Sequence, residues 1–281
     1  MRRPGAPART LSLPASGIMP YTLAHPAAVI PLRLLFPRHT SLGAMAIGSM
    51  MPDLVFFISV PVTRDQSHSL AGLLWFCLPA GILCWLLLHF FLKPPLLAFM
   101  PPWIGTRLGA MLANVKQVRH LSWNAAAIVS ASVVLGALTH LIWDTFTHPN
   151  TLIADHFAFF QQVVSLPYGL QLRMYNLLQH LSTLLGLSVI MIGGLYTLRR
   201  ITPLPQAHIG SISSAQRRML LLWLLLATIA GAMIRLTPLP ERTDYLIFRF
   251  VVGCMSGFGA GLLLACALWD WRERQRLPDS A

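Results

Sequence analysis

The chain has 281 residues, of which 55% are hydrophobic and only 11% are charged, and its mean hydropathy is +0.62. Several apolar stretches approach or exceed the ~20 residues that a helix needs to cross a bilayer, which excludes an ordinary soluble domain. The net charge of +12 comes from basic residues that cluster in alternate loops between the apolar stretches, which argues against a nucleic-acid-binding protein. The sequence therefore predicts an all-α, polytopic transmembrane helical bundle.

The N-terminal region divides into a basic extension and a short apolar segment. Residues 1–18 contain three arginines but no apolar core long enough for a signal peptide. Because Met19 offers an alternative start, we interpret residues 1–18 as an extension outside the membrane domain. The apolar segment Leu23–Phe36 has Pro26 near its beginning, where a helix tolerates a residue without an N–H. We predict a short N-terminal helix here, forming a hairpin with the next apolar segment.

About six apolar segments are predicted to span the membrane. In chain order they are Ser41–Val60, Ser69–Leu92, Trp123–Thr147, Leu177–Leu198, Met219–Ile234 and Tyr245–Trp269. Pro52 interrupts the first of them, and Asp53 follows directly. His25 and Asp53 lie at similar distances along the chain from the turn between the two hairpin arms, so we expect them at nearly the same depth.

Basic residues are concentrated in alternate loops. The three groups are Lys93, Arg107, Lys116 and Arg119; Arg199, Arg200, Arg217 and Arg218; and Arg272, Arg274 and Arg276. By the positive-inside rule, the loops after the second, fourth and sixth spans and the C-terminus are predicted to be cytoplasmic. We expect residues 19–200 to form the functional membrane domain, with residues 201–281 adding two further spans and a basic tail.

A polar stripe stands at the end of the third predicted span. His140, Asp144 and His148 are spaced four residues apart, which is one helical turn plus about 40°, so they lie along one face. Ionisable groups at membrane depth are costly and are retained mainly where they are paired, hydrated or bound to an ion. The stripe predicts one wall of a metal site, and it is also compatible with a polar pair that joins helices or relays protons.

Under the predicted topology, other ionisable groups lie at the same depth as the stripe, toward the outer face of the membrane. Imidazole and carboxylate groups are the usual ligands of zinc, manganese and iron. We therefore predict a site for a divalent metal ion and favour zinc over manganese and iron. The candidate ligands are His25, Asp53, His68, His140, Asp144, His148 and His180. Structural alternatives remain for three of them, since His25, Asp53 and His68 each stand where a helix cap is expected.

Three motifs suggest a family. They read M-P-Y-T-L-A-H-P-A at residues 19–27, G-S-M-M-P-D at 48–53 and T-H-L-I-W-D-T-F-T-H-P at 139–149. In this order they resemble a bacterial membrane family catalogued as domain of unknown function 4184, over residues from about Met19 to Arg200 or beyond. The resemblance implies a bacterial inner-membrane protein but names no activity.

A looser similarity implies chemistry. The early histidine, the P-D segment, a histidine–serine pair and the late H-x-x-x-D also look like membrane-bound metal-dependent hydrolases and the zinc-dependent phospholipase C group. That likeness implies metal ligands at His25, Asp53, His68, His140 and Asp144. The hydrolases often show H-R-x-x-T-H-S around the third ligand and a second aspartate after P-D. Here residues 63–69 contain one histidine and phenylalanines follow Asp53, which leaves the number of metal ions open.

The expected function is that of an integral-membrane metal-dependent hydrolase, acting on a lipid or envelope ester, including phosphoesters, near the outer face. Asp53 and Asp144 would be ligands, or one would be the general base. Arg64 and Arg173 flank the layer in outer loops, where they would hold a phosphate or remain solvated. Membrane lipids are the expected partners. The alternatives are a transporter or ion relay, although no inverted repeat is present, and a non-catalytic membrane scaffold.

Overall fold

The computed structural model describes residues 22–113, 122–167, 171–206, 210–240 and 243–276. Within these ranges the chain is almost entirely helical, and its strands form one two-stranded antiparallel sheet. The predicted all-α membrane class is confirmed. The extension at residues 1–18 and the predicted cytoplasmic residues Lys116 and Arg119 lie outside the described residues.

The elements follow one another with short connections. In chain order they are a 3-10 helix (Thr22–Val29), α1 (Ile30–Leu35), α2 (Leu42–Gly48), α3 (Leu54–Phe57), α4 (Arg64–Ser67), α5 (Leu70–Gly72), a π-helical turn (Leu73–Cys77), α6 (Leu78–Leu86), a second π-helical turn (Leu87–Leu92), α7 (Lys93–Phe99), α8 (Pro102–Ala113), α9 (Trp123–Thr147), α10 (Leu152–His156), α11 (Ala158–Gln161), β1 (Val163–Ser165), β2 (Gln171–Arg173), α12 (Met174–Arg200), α13 (Ser214–Leu236) and α14 (Thr243–Arg276).

Five helical stretches of the described chain are long and apolar enough to cross a membrane. They are Leu70–Phe99, Trp123–His156, Met174–Arg200, Ser214–Leu236 and Tyr245–Gln275. The protein is therefore a multi-pass membrane protein, and the short N-terminal helix that the sequence predicts is also present as Leu23–Leu35.

The segment Ser41–Val60 is interrupted at Pro52, as the sequence predicts, and it is not one of these five stretches. It consists of α2 and the one-turn helix α3, separated by the turn that contains Pro52 and Asp53. Proline has no N–H to donate and its ring clashes with the carbonyl four residues earlier, which here belongs to Gly48, the last residue of α2. In this break the carbonyl of Ser49 is paired with Nδ1 of His140, and Asp53 follows Pro52 in the same turn.

Helices α2 and α9 pack with their backbones in contact. An ideal Cβ on Gly136 would lie 2.1 Å from the carbonyl oxygen of Met45, and one on Gly48 would lie 2.1 Å from that of Val133. Only glycine permits so close an approach. The buried hydroxyl of Ser132 on α9 also accepts the backbone N–H of Ser41, the residue before α2, at 2.9 Å. These contacts hold α2 against α9 from its first residue to its last.

The hairpin of α13 and α14 supports the segment after Asp53. Its two helices pack closely through glycines, including Gly231 and Gly257. Arg235 on α13 donates from Nη2 to the carbonyl of Phe56 at 2.9 Å, and Ser256 on α14 donates from Oγ to the carbonyl of Phe57 at 3.0 Å. Because the last carbonyls of a helix have no intrahelical partner, these bonds satisfy the end of α3 and tie it to the last two spans.

Candidate metal centre

The buried face of α9 carries the polar stripe. His140 is completely buried and Asp144 is only 5% exposed, one turn further along the same face. His148 ends the helix, where its N–H donates to the carbonyl of Asp144 at 3.0 Å. The helical spacing therefore directs the first two side chains into the bundle and leaves the third at its rim.

Asp53 and His68 reach the same place from the breaks between the short helices. Asp53 precedes α3, but its carboxylate makes no capping hydrogen bond to that helix. Near His68, the capping hydrogen bonds are made by Thr63 at the start of α4 and by Ser69 at the start of α5. The side chains of Asp53 and His68 thus point into the cluster, and neighbouring residues fulfil the capping roles that the sequence left open for His68.

Three donor atoms form a compact triad. The distances are 3.3 Å from His68 Nε2 to Asp53 Oδ1, 3.6 Å from His140 Nε2 to Asp53 Oδ1, and 3.3 Å between the two Nε2 atoms. A tetrahedral ion with bonds of about 2.0–2.1 Å separates its ligand atoms by about 3.3–3.4 Å. The triad of Asp53, His68 and His140 therefore has the spacing of one face of such a site.

Backbone carbonyls orient both histidine rings of this triad. His140 Nδ1 donates to the carbonyl of Ser49 at 2.8 Å, and His68 Nδ1 lies 3.0 Å from the carbonyl of Arg64. A ring that donates its Nδ1 proton to a carbonyl presents the lone pair of Nε2 to a metal, and such partners also hold the ring in place. The contact between α2 and α9 supplies the Ser49 carbonyl.

A second triad overlaps the first at His140. The ring of His25 stacks on that of His140 with 3.9 Å between centroids, and its Nε2 lies 3.9 Å from Asp144 Oδ1. Asp144 Oδ2 lies 3.5 Å from His140 Nε2 and 3.6 Å from His68 Nε2. Ligand atoms of His25, His140 and Asp144 all lie within 4.8 Å of one another. Because His140 offers one free nitrogen, the two triads surround a single shared position.

Two unsatisfied polar atoms mark the cluster. Nδ1 of His25 and Oδ1 of Asp144 are buried without a hydrogen-bond partner among the described residues. Such atoms cost free energy unless a ligand or an ion satisfies them. The donor set therefore fits a divalent cation.

The rim of the cluster holds His148, Gln179 and Arg64. His148 Nδ1 lies 3.3 Å from Asp144 Oδ1, and its Nε2 lies 3.1 Å from the side-chain nitrogen of Gln179. Arg64 Nη2 lies 3.6 Å from Asp144 Oδ2. The position of His148 between Asp144 and Gln179 is that of a residue that orients the carboxylate. Sequence reasoning missed Gln179, although an amide inside an apolar span was a usable signal.

His180 and Arg173 lie apart from these groups. Gln179 is buried, whereas His180 is exposed, because consecutive helical residues point about 100° apart. Arg173 ends β2, and its guanidinium donates to the side chain of Gln161. Among the described residues, the cavity next to the cluster is lined by Arg64 and Gln179 but by neither His180 nor Arg173. The structure does not bring these two predicted residues to the site.

The fold and the cluster define the class: a multi-pass helical membrane protein with buried histidines and aspartates at one end of its bundle. Residues 19–267 match the family described as domain of unknown function (DUF4184), and the chain belongs to this family. The expected resemblance is confirmed, and the match extends beyond Arg200 into α14. No curated protein and no solved structure matches the chain.

Proposed function

We propose that the protein is an integral-membrane, metal-dependent hydrolase that acts on a lipid or envelope ester, including phosphoesters. The observation that carries the proposal is the buried triad of Asp53, His68 and His140, with donor atoms 3.3–3.6 Å apart. A cavity of ≈ 320 Å³ adjoins it and is lined in part by His25 and Arg64. A ligand set beside a cavity of substrate size is the arrangement expected of a catalytic centre.

The side chains divide into holding and reacting groups. Asp53, His68 and His140 would hold the cation, and His25 lies close enough to complete its coordination. The mixed nitrogen and oxygen set suits zinc, and it also accommodates manganese or iron. A bound divalent cation would polarise the ester and lower the pKa of water in the site.

Asp144 and Arg64 are the groups that would act on water and substrate. Hydrolysis breaks the ester bond, adds hydroxide to the acyl or phosphoryl group and gives a proton to the leaving alcohol. Asp144 is placed to accept the water's proton and pass it on, since its carboxylate lies at 3.5–3.6 Å from the Nε2 atoms of both triad histidines and is oriented by His148. Arg64, 3.6 Å from Asp144, would bind an anionic group of the substrate.

We place the site near the outer face of a bacterial inner membrane, with the C-terminus in the cytoplasm. His68 precedes the first long span, and His140 and Asp144 stand in about the last two turns of α9. Basic residues stand at the other ends, with Lys93 near the end of the first span and Arg199 and Arg200 at the end of α12. The positive-inside rule supports this orientation.

Metal analysis of the purified full-length protein tests the proposal. We expect about one equivalent of zinc, manganese or iron, retained in His39→Ala and lost in His140→Ala and Asp53→Ala. His39 is a suitable control because it is an exposed histidine in the turn before α2. A folded protein that binds none of these metals would contradict the proposal.

The second measurement separates an enzyme from a transporter. The contacts of Asp144 with His140 and His148 would also serve a proton or cation relay. Metal-loaded protein is therefore assayed for hydrolysis of p-nitrophenyl phosphodiesters and, in liposomes, for proton and zinc flux. Hydrolysis that disappears in Asp144→Asn supports the hydrolase, whereas flux without hydrolysis supports the relay.

A further inference from the structure

The cavity beside the triad is amphipathic. Its polar end is formed by His25, Asp53, Arg64, His148 and Gln179. Its other end is formed by small or apolar residues of the N-terminal helices and of α12, among them Ala24, Ala28, Ile30, Leu185 and Val189. A ligand that fills the cavity must therefore carry a polar or charged group at one end and a hydrocarbon at the other.

The apolar end opens on the hydrocarbon-facing surface of the protein. Leu185 is 64% exposed and Val189 is 42% exposed on the membrane-spanning helix α12, and Pro31 is exposed on α1. In a bilayer such side chains face lipid chains, because no water is present at that depth. A hydrocarbon can thus enter the cavity laterally without crossing a polar surface.

Small residues keep this space open. The 3-10 helix and α12 touch at Gly186, where an ideal Cβ would lie 2.9 Å from the carbonyl oxygen of Ala24. Beside this contact, Ala27 and Ala28 line the cavity with methyl groups only. A larger side chain at either position would occupy the volume that the cavity offers. The volume of ≈ 320 Å³ is near the lower end of the range of about 300–1,000 Å³ for ligand sites, so it suits one chain segment.

We propose that this cavity binds one hydrocarbon chain of an anionic phosphoester lipid, with the phosphate on Arg64 and the ester bond at the triad. The inference rests on the proposed function and narrows its substrate class. Any second chain of the lipid stays in the bilayer. Among the described residues that line the polar end, Arg64 carries a guanidinium, which lies 3.6 Å from Asp144, and its side chain is 30% exposed, so an anion can approach it from the cavity.

Ala28→Phe tests the chain site with two chromogenic substrates that differ only in the alkyl group. For dodecyl p-nitrophenyl phosphate we expect KM to rise at least tenfold, and for methyl p-nitrophenyl phosphate to change less than twofold. Ala131→Phe is the matched control, because Ala131 is exposed on α9 and does not line the cavity. Retained metal content shows that each variant is folded. An equal KM for the two substrates in the wild type, or equal effects of Ala28→Phe on both, overturns the chain site.

Arg64 is tested with the same pair of substrates. Arg64→Gln should raise KM for both, and Arg64→Lys should restore part of the loss, since a lysine retains the charge but not the paired donors. An unchanged KM in Arg64→Gln overturns the phosphate assignment.

A binding measurement distinguishes failure of this inference from failure of the proposed function. Dodecyl phosphate with a terminal diazirine is photolysed with the protein in phosphatidylcholine nanodiscs. We expect adducts on Ile30, Leu185 or Val189 in the wild type and in Ala131→Phe, and at least a tenfold reduction in Ala28→Phe. Adducts without hydrolysis would leave the chain site standing and refute the hydrolase. Hydrolysis of the methyl substrate without adducts would refute the chain site and leave the hydrolase standing.

Discussion

Replacing Gly136 with alanine tests whether the backbone contact between α2 and α9 builds the metal centre. The new Cβ would lie 2.1 Å from the carbonyl oxygen of Met45 and 2.8 Å from the backbone nitrogen of Ser49. Ordinary contact begins at 3.4 Å, so the helices must separate locally by about 1.3 Å, the difference between 3.4 Å and 2.1 Å. Backbone atoms cannot rotate away as a side chain would, so the strain must be taken up by helix movement.

The magnitude follows from this displacement. Overpacking costs about 1–3 kcal/mol, and a backbone clash belongs at the upper end of that range. With a Tm change of about 2–4 °C per kcal/mol for a chain of this size, Gly136→Ala should lower Tm by about 6–12 °C. The same movement takes the Ser49 carbonyl away from His140 Nδ1, now 2.8 Å apart. Loss of such a ring-orienting bond typically weakens metal binding about 10–100-fold.

The assay measures thermal unfolding of the detergent-purified protein and zinc affinity by chelator competition. Gly43→Ala is the matched control, since Gly43 lies on α2 with no atom within 4 Å of the added Cβ. Alanine is favoured over glycine in a helix by about 1 kcal/mol, so this variant should be unchanged or slightly more stable. If Gly136→Ala behaved like Gly43→Ala in both measurements, the proposed role of the helix contact would be refuted.

Three further substitutions probe the residues around the centre. Gln179→Ala should weaken zinc binding or turnover about tenfold, because the ring of His148 loses its contact with the amide. His180→Ala, at the next position but exposed, should change neither zinc binding nor turnover. Equal effects of the two substitutions would contradict the assignment of Gln179 to the helix face that points to the centre. Arg235→Met should lower both the zinc affinity and the Tm, because the Phe56 carbonyl at the end of α3 loses its hydrogen-bond donor, and Arg235→Lys should recover part of both. If Arg235→Met bound zinc as tightly as the wild type, the supporting role of Arg235 would be refuted. Ser132→Ala should destabilise the protein by about 1–2 kcal/mol because the N–H before α2 loses its acceptor, measured by chemical unfolding in detergent; an unchanged midpoint would count against the bond.

The local sequence pattern was sufficient to predict the class of protein and the polar stripe on α9. Hydropathy over about twenty residues depends only on neighbours in the chain, and four-residue spacing places His140 and Asp144 on one face wherever the helix packs. Depth counting from the predicted turns also suggested His25, Asp53 and His68, which the structure brings within a few ångströms of the stripe. The sequence also placed an interruption of Ser41–Val60 at Pro52, where the structure has the turn between α2 and α3.

What the sequence by itself determined is therefore the membrane class, the long spans and the grouping of His25, Asp53 and His68 with the stripe on α9. Tertiary structure decided which of two adjacent residues faces the centre. Consecutive residues of a helix point about 100° apart but lie at nearly the same depth, so counting along the chain cannot separate them. Gln179 instead of His180, and the supports from Ser49, Arg235 and Ser256, depend on how helices far apart in sequence are rotated against each other. That rotation is set by packing, above all by the glycine contacts of α2 with α9 and of α13 with α14.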